Sequence, residues 1–374
     1  MTSSLLIQPR DTALFRDARP FNSGANRARS LNFPWPSTTT GFVRTMIGST
    51  KAEGFVWTPE RARGVKLRGP FLVSLVEGGP EQDSRVANVY VPAPMDVAFF
   101  PDGGLRSTLR RVQLVPKAIS GENEVYSPLP EGVTHLVTLG VKPPAGKAVG
   151  GPAFWSLDSY MQWLIQPQLD ETVVHSALGI DPLVRELRTH VALTSERTAA
   201  DGHMFQTEAL RFVKRLAGGV MRFGLLVETD EPVMNTSHPT IGALGGERRP
   251  SGLNRLTSSP LPPCPELPDS AVRRVQLMTP GIFTNGWSPK RVLPSGATIF
   301  AALVGRPLSH SGWDFEKNRA RATRRMAPAG TTYWIRFSDS QEARAWTESH
   351  WFHSICDDAQ DVADGFGIAA IGVA

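Results

Sequence analysis

Cysteine is nearly absent from this chain: Cys264 and Cys356 are the only two in 374 residues. Two thiols cannot build a disulfide framework, so a reducing, cytoplasmic setting is the expectation. No run reaches the roughly 18 apolar residues of a membrane-spanning helix, and no membrane partner is expected. The opening MTSSLLIQPRD lacks the basic and apolar regions of a secretory leader. Also missing are G-x-x-x-x-G-K-[ST], H-E-x-x-H and G-x-S-x-G, the local signatures of phosphate-loop, zinc-protease and serine-hydrolase chemistry. The eight histidines are scattered. His350, His353 and Cys356 have a spacing that would turn successive side chains by about 60° on a helix. No fourth ligand or supporting shell accompanies them, so no metal and no cofactor is expected. Asp357 and Asp358 are adjacent and would diverge by about 100° on a helix.

Proline and glycine, by contrast, are plentiful at 31 and 34 residues, which favours loops and short strands over long helices. An apolar fraction of 41% and a charged fraction of 20% suit a folded chain long enough for two domains. The net charge of +5 hides a segregation. Between residues 273 and 336, eleven Arg or Lys stand against Asp314 and Glu316; between residues 10 and 29, five Arg stand against Asp11 and Asp17. The remainder is net acidic. Charge sorted in this way marks a surface that meets a polyanion, or else a solvated face without a ligand.

The pattern of elements is mixed. A strand is expected at residues 4–7, then a loop to Asn32, then a helix over 38–50 capped by Ser37, with Phe42 and Met46 on its apolar stripe. Strands are expected at 71–76, 86–91, 135–141 and 220–228, and a short aromatic-faced helix at 157–166. The Gly-, Pro- and Ser-rich stretch 236–268 reads as a loop or insertion. Late strands follow at 298–304, 332–337 and 368–373, with Ser338 and Gln341 at capping-box spacing before a helix holding Trp346. Such an order fits an α+β fold of ferredoxin-like, RRM-like units.

Several segments have the chemistry to grip RNA. Gly245, Gly246, Glu247, Arg248 and Arg249 combine a permissive backbone with two guanidiniums; the plain alternative is a surface turn whose Glu and Arg pair. Gly365 and Gly367 would let backbone N–H groups approach phosphates, or would simply form a tight turn before the last strand. Aromatics interleave with the basic segments, and stacking on a base is worth about 1–3 kcal/mol. Most of these aromatics serve the core, but Trp287 and Trp313 follow glycines in expected loops and are the two singled out for stacking.

The most specific signal lies in the order of short islands. They are Pro9-Arg10-Asp11; LFRDARPF at 14–21; FPWPS at 33–37 with Gly41 and Arg44; PAPMD at 92–96; GGERR at 245–249; Thr279-Pro280; Gly286-Trp287 with Pro289; GWD at 312–314; PAG at 328–330 with Tyr333-Trp334; and Gly365-Phe366-Gly367 through Gly372. Together they resemble the third RAMP subunit of the Cmr, or type III-B, CRISPR effector complex. Residues 97–190 and 251–269 match poorly, and Phe205 stands where the family pattern suggests tyrosine.

The resemblance implies two ferredoxin-like domains with long insertions and a terminal glycine-rich loop, divided here as 1–215 and 216–374. It implies no catalysis and no cofactor. The implied partners are the 5′ handle of the CRISPR RNA, the large polymerase-like Cmr subunit, the adjacent RAMP backbone subunit, and, as a further partner, target RNA. It also implies a β-hairpin thumb that bends the RNA, sought in 97–150. Arg10, Arg16, Arg19, Arg44, Arg248, Arg249, Arg324 and Arg325 are the expected phosphate or base contacts, since the planar fork of arginine holds two phosphate oxygens or stacks on a base. Gly245, Gly246, Gly365 and Gly367 would admit the RNA backbone closely. The competing reading is a metal-independent, guide-processing endoribonuclease of the RAMP group. It would need a general base, for which His310 and His238 are the candidates.

Overall fold

The structure is a computed structural model and describes residues 2–16, 27–76, 85–102, 107–119, 129–216, 219–233, 240–314 and 319–374; at residues 27, 201–203, 216, 313 and 314 it describes the backbone only. The chain folds into two compact units interleaved in sequence. One comprises Met1–Ala87, Leu183–Ser259 and Ser309–Arg325; the other comprises Asn88–Pro182, Pro260–Leu308 and Met326–Ala374. The expected boundary after residue 215 falls inside the first unit, within the strand Val213–Leu216, which pairs with Gly219–Thr229. Sheet pairing, not chain order, groups the residues.

In the first unit, β1 (Ser3–Pro9), α1 (Pro36–Ile47), β2 (Leu67–Val76), β3 (Gly219–Thr229) and β4 (Arg249–Arg255) form a sheet in the order β2-β3-β1-β4, antiparallel throughout, with Ile241–Leu244 beyond β4. This is the ferredoxin-like strand order with its first helix in place. Leu5, Leu6, Ile7, Leu225 and Leu226 are fully buried in the two central strands. Helix α1 lays Phe42, Val43 and Met46 on the core. Trp35, not Ser37, is its N-cap, because Pro36 takes the first helical position, where its missing N–H costs nothing. The stretch 236–268 is not a simple loop, for it contains Ile241–Leu244 and β4. Its small residues are strand-compatible because neighbours leave no room: a Cβ on Gly242 would lie 2.3 Å from Met46 Sδ of α1.

In the second unit, β5 (Val272–Leu277), β6 (Thr298–Leu303), β7 (Thr332–Arg336), α2 (Ser340–His350) and β8 (Ile368–Gly372) give the order β6-β7-β5-β8, again antiparallel. Here the second ferredoxin-like helix is present, and Lys290–Val292 is a single 3-10 turn where the first would lie. The cap of α2 is shifted by one residue from expectation. Asp339 accepts from Glu342 N at 2.8 Å, and the Glu342 carboxylate accepts from Ser338 N at 3.0 Å. The helix ends at His350, while His353 lies on the short strand His353–Ser354, so the helical spacing argument for His350, His353 and Cys356 does not apply.

Within residues 97–150, where the thumb hairpin is sought, consecutive strands pair antiparallel, and residues 103–106 and 120–128 between them lie outside the described residues. Val97–Pro101, Thr108–Ala118 and His135–Leu139 join Asp170–Val174 in a four-stranded sheet that buries Phe99, Phe100, Leu109 and Val112. A further hairpin, formed by Arg185–Leu193 and Ala199–Leu210 in the first unit, also exposes apolar side chains. There Leu187, Val191, Leu193 and Met204 are each between 46% and 64% exposed.

Each unit buries carboxylates, of which Glu228 in the first and Asp96 in the second are the most enclosed among the described residues. Glu228 in β3 accepts from Ser4 Oγ at 2.8 Å and Arg68 at 2.7 Å, and is bonded also by the Ser259 hydroxyl. In the second unit Asp96 is fully buried, and so is Arg274 of β5, 2.7 Å away. Asp96 Oδ1 also accepts from Gln276 Nε2 at 2.7 Å and from Trp163 Nε1 at 3.1 Å. Arg274 in turn donates to the carbonyls of Trp163 and Leu164 at the end of helix Leu157–Ile165. Removing one partner of such a pair strands a charge without water. Asp96→Ala or Arg274→Ala is therefore expected to cost about 3–5 kcal/mol in chemical denaturation; a loss under about 1 kcal/mol would show that water reaches the site.

Candidate nucleic-acid interface

Residues 10–16 leave β1 and run beside the turn that joins Ile241–Leu244 to β4. Arg10 N donates to Pro250 O at 3.0 Å, Gly246 N donates to Leu14 O at 2.7 Å, and Arg16 pairs with Ser30. The turn needs its glycine. Gly245 has φ +69°, and a Cβ there would sit 2.6 Å from Leu14 O. Glu247 and Arg248 follow with φ of 57° and 49°, a left-handed conformation that non-glycine residues seldom adopt and that gathers at functional sites. The result brings the Arg10–Arg16 segment and the GGERR turn together on one strip, with Arg10, Arg16 and Arg248 exposed.

Carboxylates organise this strip. Asp11 accepts from Arg188 at 3.0 Å and from Arg249 at 3.2 Å, while Arg249 also meets Glu247 at 2.5 Å and Arg188 meets Glu186 at 2.6 Å. The hydrogen bond from Arg188 does most to hold the Asp11 carboxyl below the ordinary carboxylate range, helped by the Thr12 backbone N–H and the charge of Arg249. Arg249 is thus a brace as well as a cation. Two buried polar atoms of the strip, Thr12 Oγ1 and Arg249 Nε, have no hydrogen-bond partner among the described residues.

A second basic stretch of the same unit exposes Arg319, Arg321, Arg324 and Arg325. Next to it His310 is 7% exposed, with its ring edge-on to Trp35 at 6.2 Å. Burial, and then the like charge of Arg324 and Arg321, lower its pKa to about 4. His310 is neutral at physiological pH but a weak base, and it is shielded from solvent. His238 and Arg19 lie outside the described residues, as does the side chain of Trp313.

Other expected contacts have different duties. Arg44 donates to the carbonyls of Val65 at 2.7 Å and Arg63 at 3.2 Å, pinning the segment after Pro59–Gly64 to α1. Gly365 and Gly367 are buried, and their N–H groups already donate to Val362 O and Pro280 O, so neither is a phosphate donor. They shape the turn into β8, with φ of 88° and 66°. Trp287 lies in the second unit, half-buried and stacked on Tyr333. Sequence reading missed Arg188, Arg185 and Glu186. Their signal was the alternation of charged and apolar residues in RELRTHVAL, a strand pattern within an unassigned region.

Two ferredoxin-like units, one bearing a strip of carboxylate-braced arginines, define a double α+β protein with a cationic surface. No group of metal-ligating side chains occurs among the described residues, and no described helix is long and apolar enough to cross a membrane. The chain belongs to the Cas_Cmr3 family of CRISPR-associated proteins, whose model matches residues 5–374. Among solved structures it is similar to a chain of the cryo-EM structure of the Type III-B Cmr-beta bound to cognate target RNA. That match has 14% identity, covers 88% of this chain and 86% of that one, and has a TM-score of 0.46. No curated protein matches it.

Two substitutions separate brace from free cation. Arg248→Ala should change stability by less than about 0.5 kcal/mol. Arg249→Ala should cost about 1 kcal/mol through its two ion pairs, and equal losses would refute the division of roles. His310 sets an acid limit of its own. Its folded pKa of about 4 lies below the ordinary 6.5, so the unfolded chain takes up the proton first. Its contribution is intact above pH 6.5 and is lost as pH falls towards 4, a change on the order of 3 kcal/mol. His310→Gln should flatten that limb in denaturation measured between pH 7 and 4.5.

Proposed function

We propose that the protein is a non-catalytic RNA-binding subunit of a type III-B CRISPR effector complex that holds the 5′ handle of the CRISPR RNA on the strip of Arg10, Arg16, Arg248 and Arg249. The carrying observation is that strip: exposed Arg10, Arg16 and Arg248 gathered around a strained turn and the carboxylate-braced Arg249, beside two buried polar atoms with no hydrogen-bond partner among the described residues. Arginine forks at fixed positions suit phosphate oxygens better than a mobile charge would. Membership of the Cas_Cmr3 family supports the setting. The large polymerase-like subunit, the adjacent RAMP backbone subunit and target RNA are the further partners in this reading. The burial and low pKa of His310 speak against a general base there and so favour a binding role over guide cleavage.

Binding is expected to be electrostatic in bulk. The slope of log affinity against log salt should be about −0.7 for each phosphate neutralised on a single strand. Arg10→Ala combined with Arg248→Ala should make that slope shallower by about 1.4, with the melting temperature nearly unchanged. A slope that does not move would remove these residues from the interface. Shortened RNA products formed by the pure wild-type protein, and absent with His310→Ala, would favour the endoribonuclease reading instead.

A further inference from the structure

The second unit contains a cleft of about 290 Å³ whose lining includes Trp287, Ser288, Lys290, Glu131, Thr298 and Ile299. Its floor is rigid. The Trp287 ring lies nearly parallel to Tyr333, with centroids 6.2 Å apart and planes 22° apart, and the Tyr333 hydroxyl donates to the Trp287 carbonyl at 2.6 Å. Tyr333 is fully buried, so this backing cannot swing away without opening the core. Ser288 is 3% exposed, and its Oγ has no hydrogen-bond partner among the described residues. Buried hydroxyls almost always find partners, and one left unmatched in a cleft wall calls for a ligand or an ordered water. At the rim Lys290 Nζ meets the Glu131 carboxylate at 3.3 Å, and the Glu131 side chain is 93% exposed. So exposed a carboxylate holds the ammonium weakly and yields it readily to a phosphate.

We propose that this cleft binds one unstacked nucleobase together with its phosphate, the base lying on Trp287 with an edge on Ser288 Oγ and the phosphate on Lys290. Ligand pockets generally start near 300 Å³, so the volume suits one heterocycle and little more. A purely apolar ring would leave the hydroxyl unmatched, whereas a base has both a face to stack and an edge to bond. Because a serine hydroxyl both donates and accepts, the cleft takes purine or pyrimidine edges alike. The base comes either from a bound RNA strand, in which case this inference rests on the RNA-binding reading, or from a free mononucleotide.

The test uses the full chain labelled with 5-fluorotryptophan, the Trp287 resonance being identified by its loss in Trp287→Phe. AMP, UMP, adenosine and a single-stranded 12-nucleotide RNA are titrated, and RNA affinity is measured on the same samples by filter binding. The Trp287 resonance should move with AMP, UMP and the RNA. Ser288→Ala should weaken AMP at least fivefold while the melting temperature holds or rises, because an unmatched polar atom has been removed. Lys290→Gln should weaken AMP but not adenosine. If RNA is retained on the filter while the resonance stays still with every ligand, the cleft proposal falls and the interface reading stands. If mononucleotides move it and RNA is not retained, the cleft is a free-nucleotide site and the interface reading falls. If nothing binds, both fail. If Ser288→Ala lowers the melting temperature and leaves AMP affinity unchanged, the hydroxyl is structural and the proposal is overturned.

Discussion

A carboxylate and a guanidinium wholly shut off from water, as Asp96 and Arg274 are, must be satisfied by protein atoms alone. Arg274 sits on the central strand β5, and its other terminal nitrogen donates to the carbonyl end of helix Leu157–Ile165, while its buried Nε has no hydrogen-bond partner among the described residues. Asp96 ends the PAPMD island and takes in Gln276 and the Trp163 indole as well. Three segments far apart in sequence therefore share one electrostatic centre, and none can move without leaving a charge unmatched. Such a pair adds little net stability over a well-packed apolar core, but it penalises every other register heavily. Arg111 belongs to the same surroundings, its pKa lowered by burial and its guanidinium 4.7 Å from the centre of the Trp163 ring.

The first unit uses charge differently. Its acidic residues at the surface are placed to space arginines, not to cancel them. Asp11 holds Arg188 and Arg249 from opposite segments, and Glu186 and Glu247 steady the same two guanidiniums. The tethering lowers the entropy that each arginine would lose on meeting a phosphate, while Arg10 and Arg248 keep exposed charge beside them. A polyanion can compete for guanidiniums held by exposed carboxylates, since such pairs are individually weak in water. The strip is thus pre-organised without being locked.

Much of this was legible from local pattern, and the failures have physical causes. The central strands β1, β3 and β7 were visible because apolar runs such as FGLLV have few other homes, whereas the central strand β5 was missed because two arginines interrupt VRRVQL. The helix 157–166 announced itself by its aromatic face. β4 was missed because RPSGLNR carries little strand propensity of its own, and its pairing with β1 makes it a strand. The charge count over residues 273–336 was misleading in part, since Arg273 and Arg274 are buried and belong to the core. Gly365 and Gly367 carried the right conformational signal and the wrong inference: their positive φ serves a turn, and their N–H groups are already bonded.

The sequence by itself determined the α+β mixture of elements, the two arginine-rich segments and, through the order of short islands, the family. These are properties of neighbours along the chain, where period, propensity and spacing act over a few residues. Only the tertiary structure decided which residues share a unit, because each ferredoxin-like sheet is completed by strands that return after long excursions. It also decided which arginine is a brace, a core ion or an exposed cation. That assignment depends on which carboxylate or carbonyl arrives from elsewhere, and on whether water can follow it.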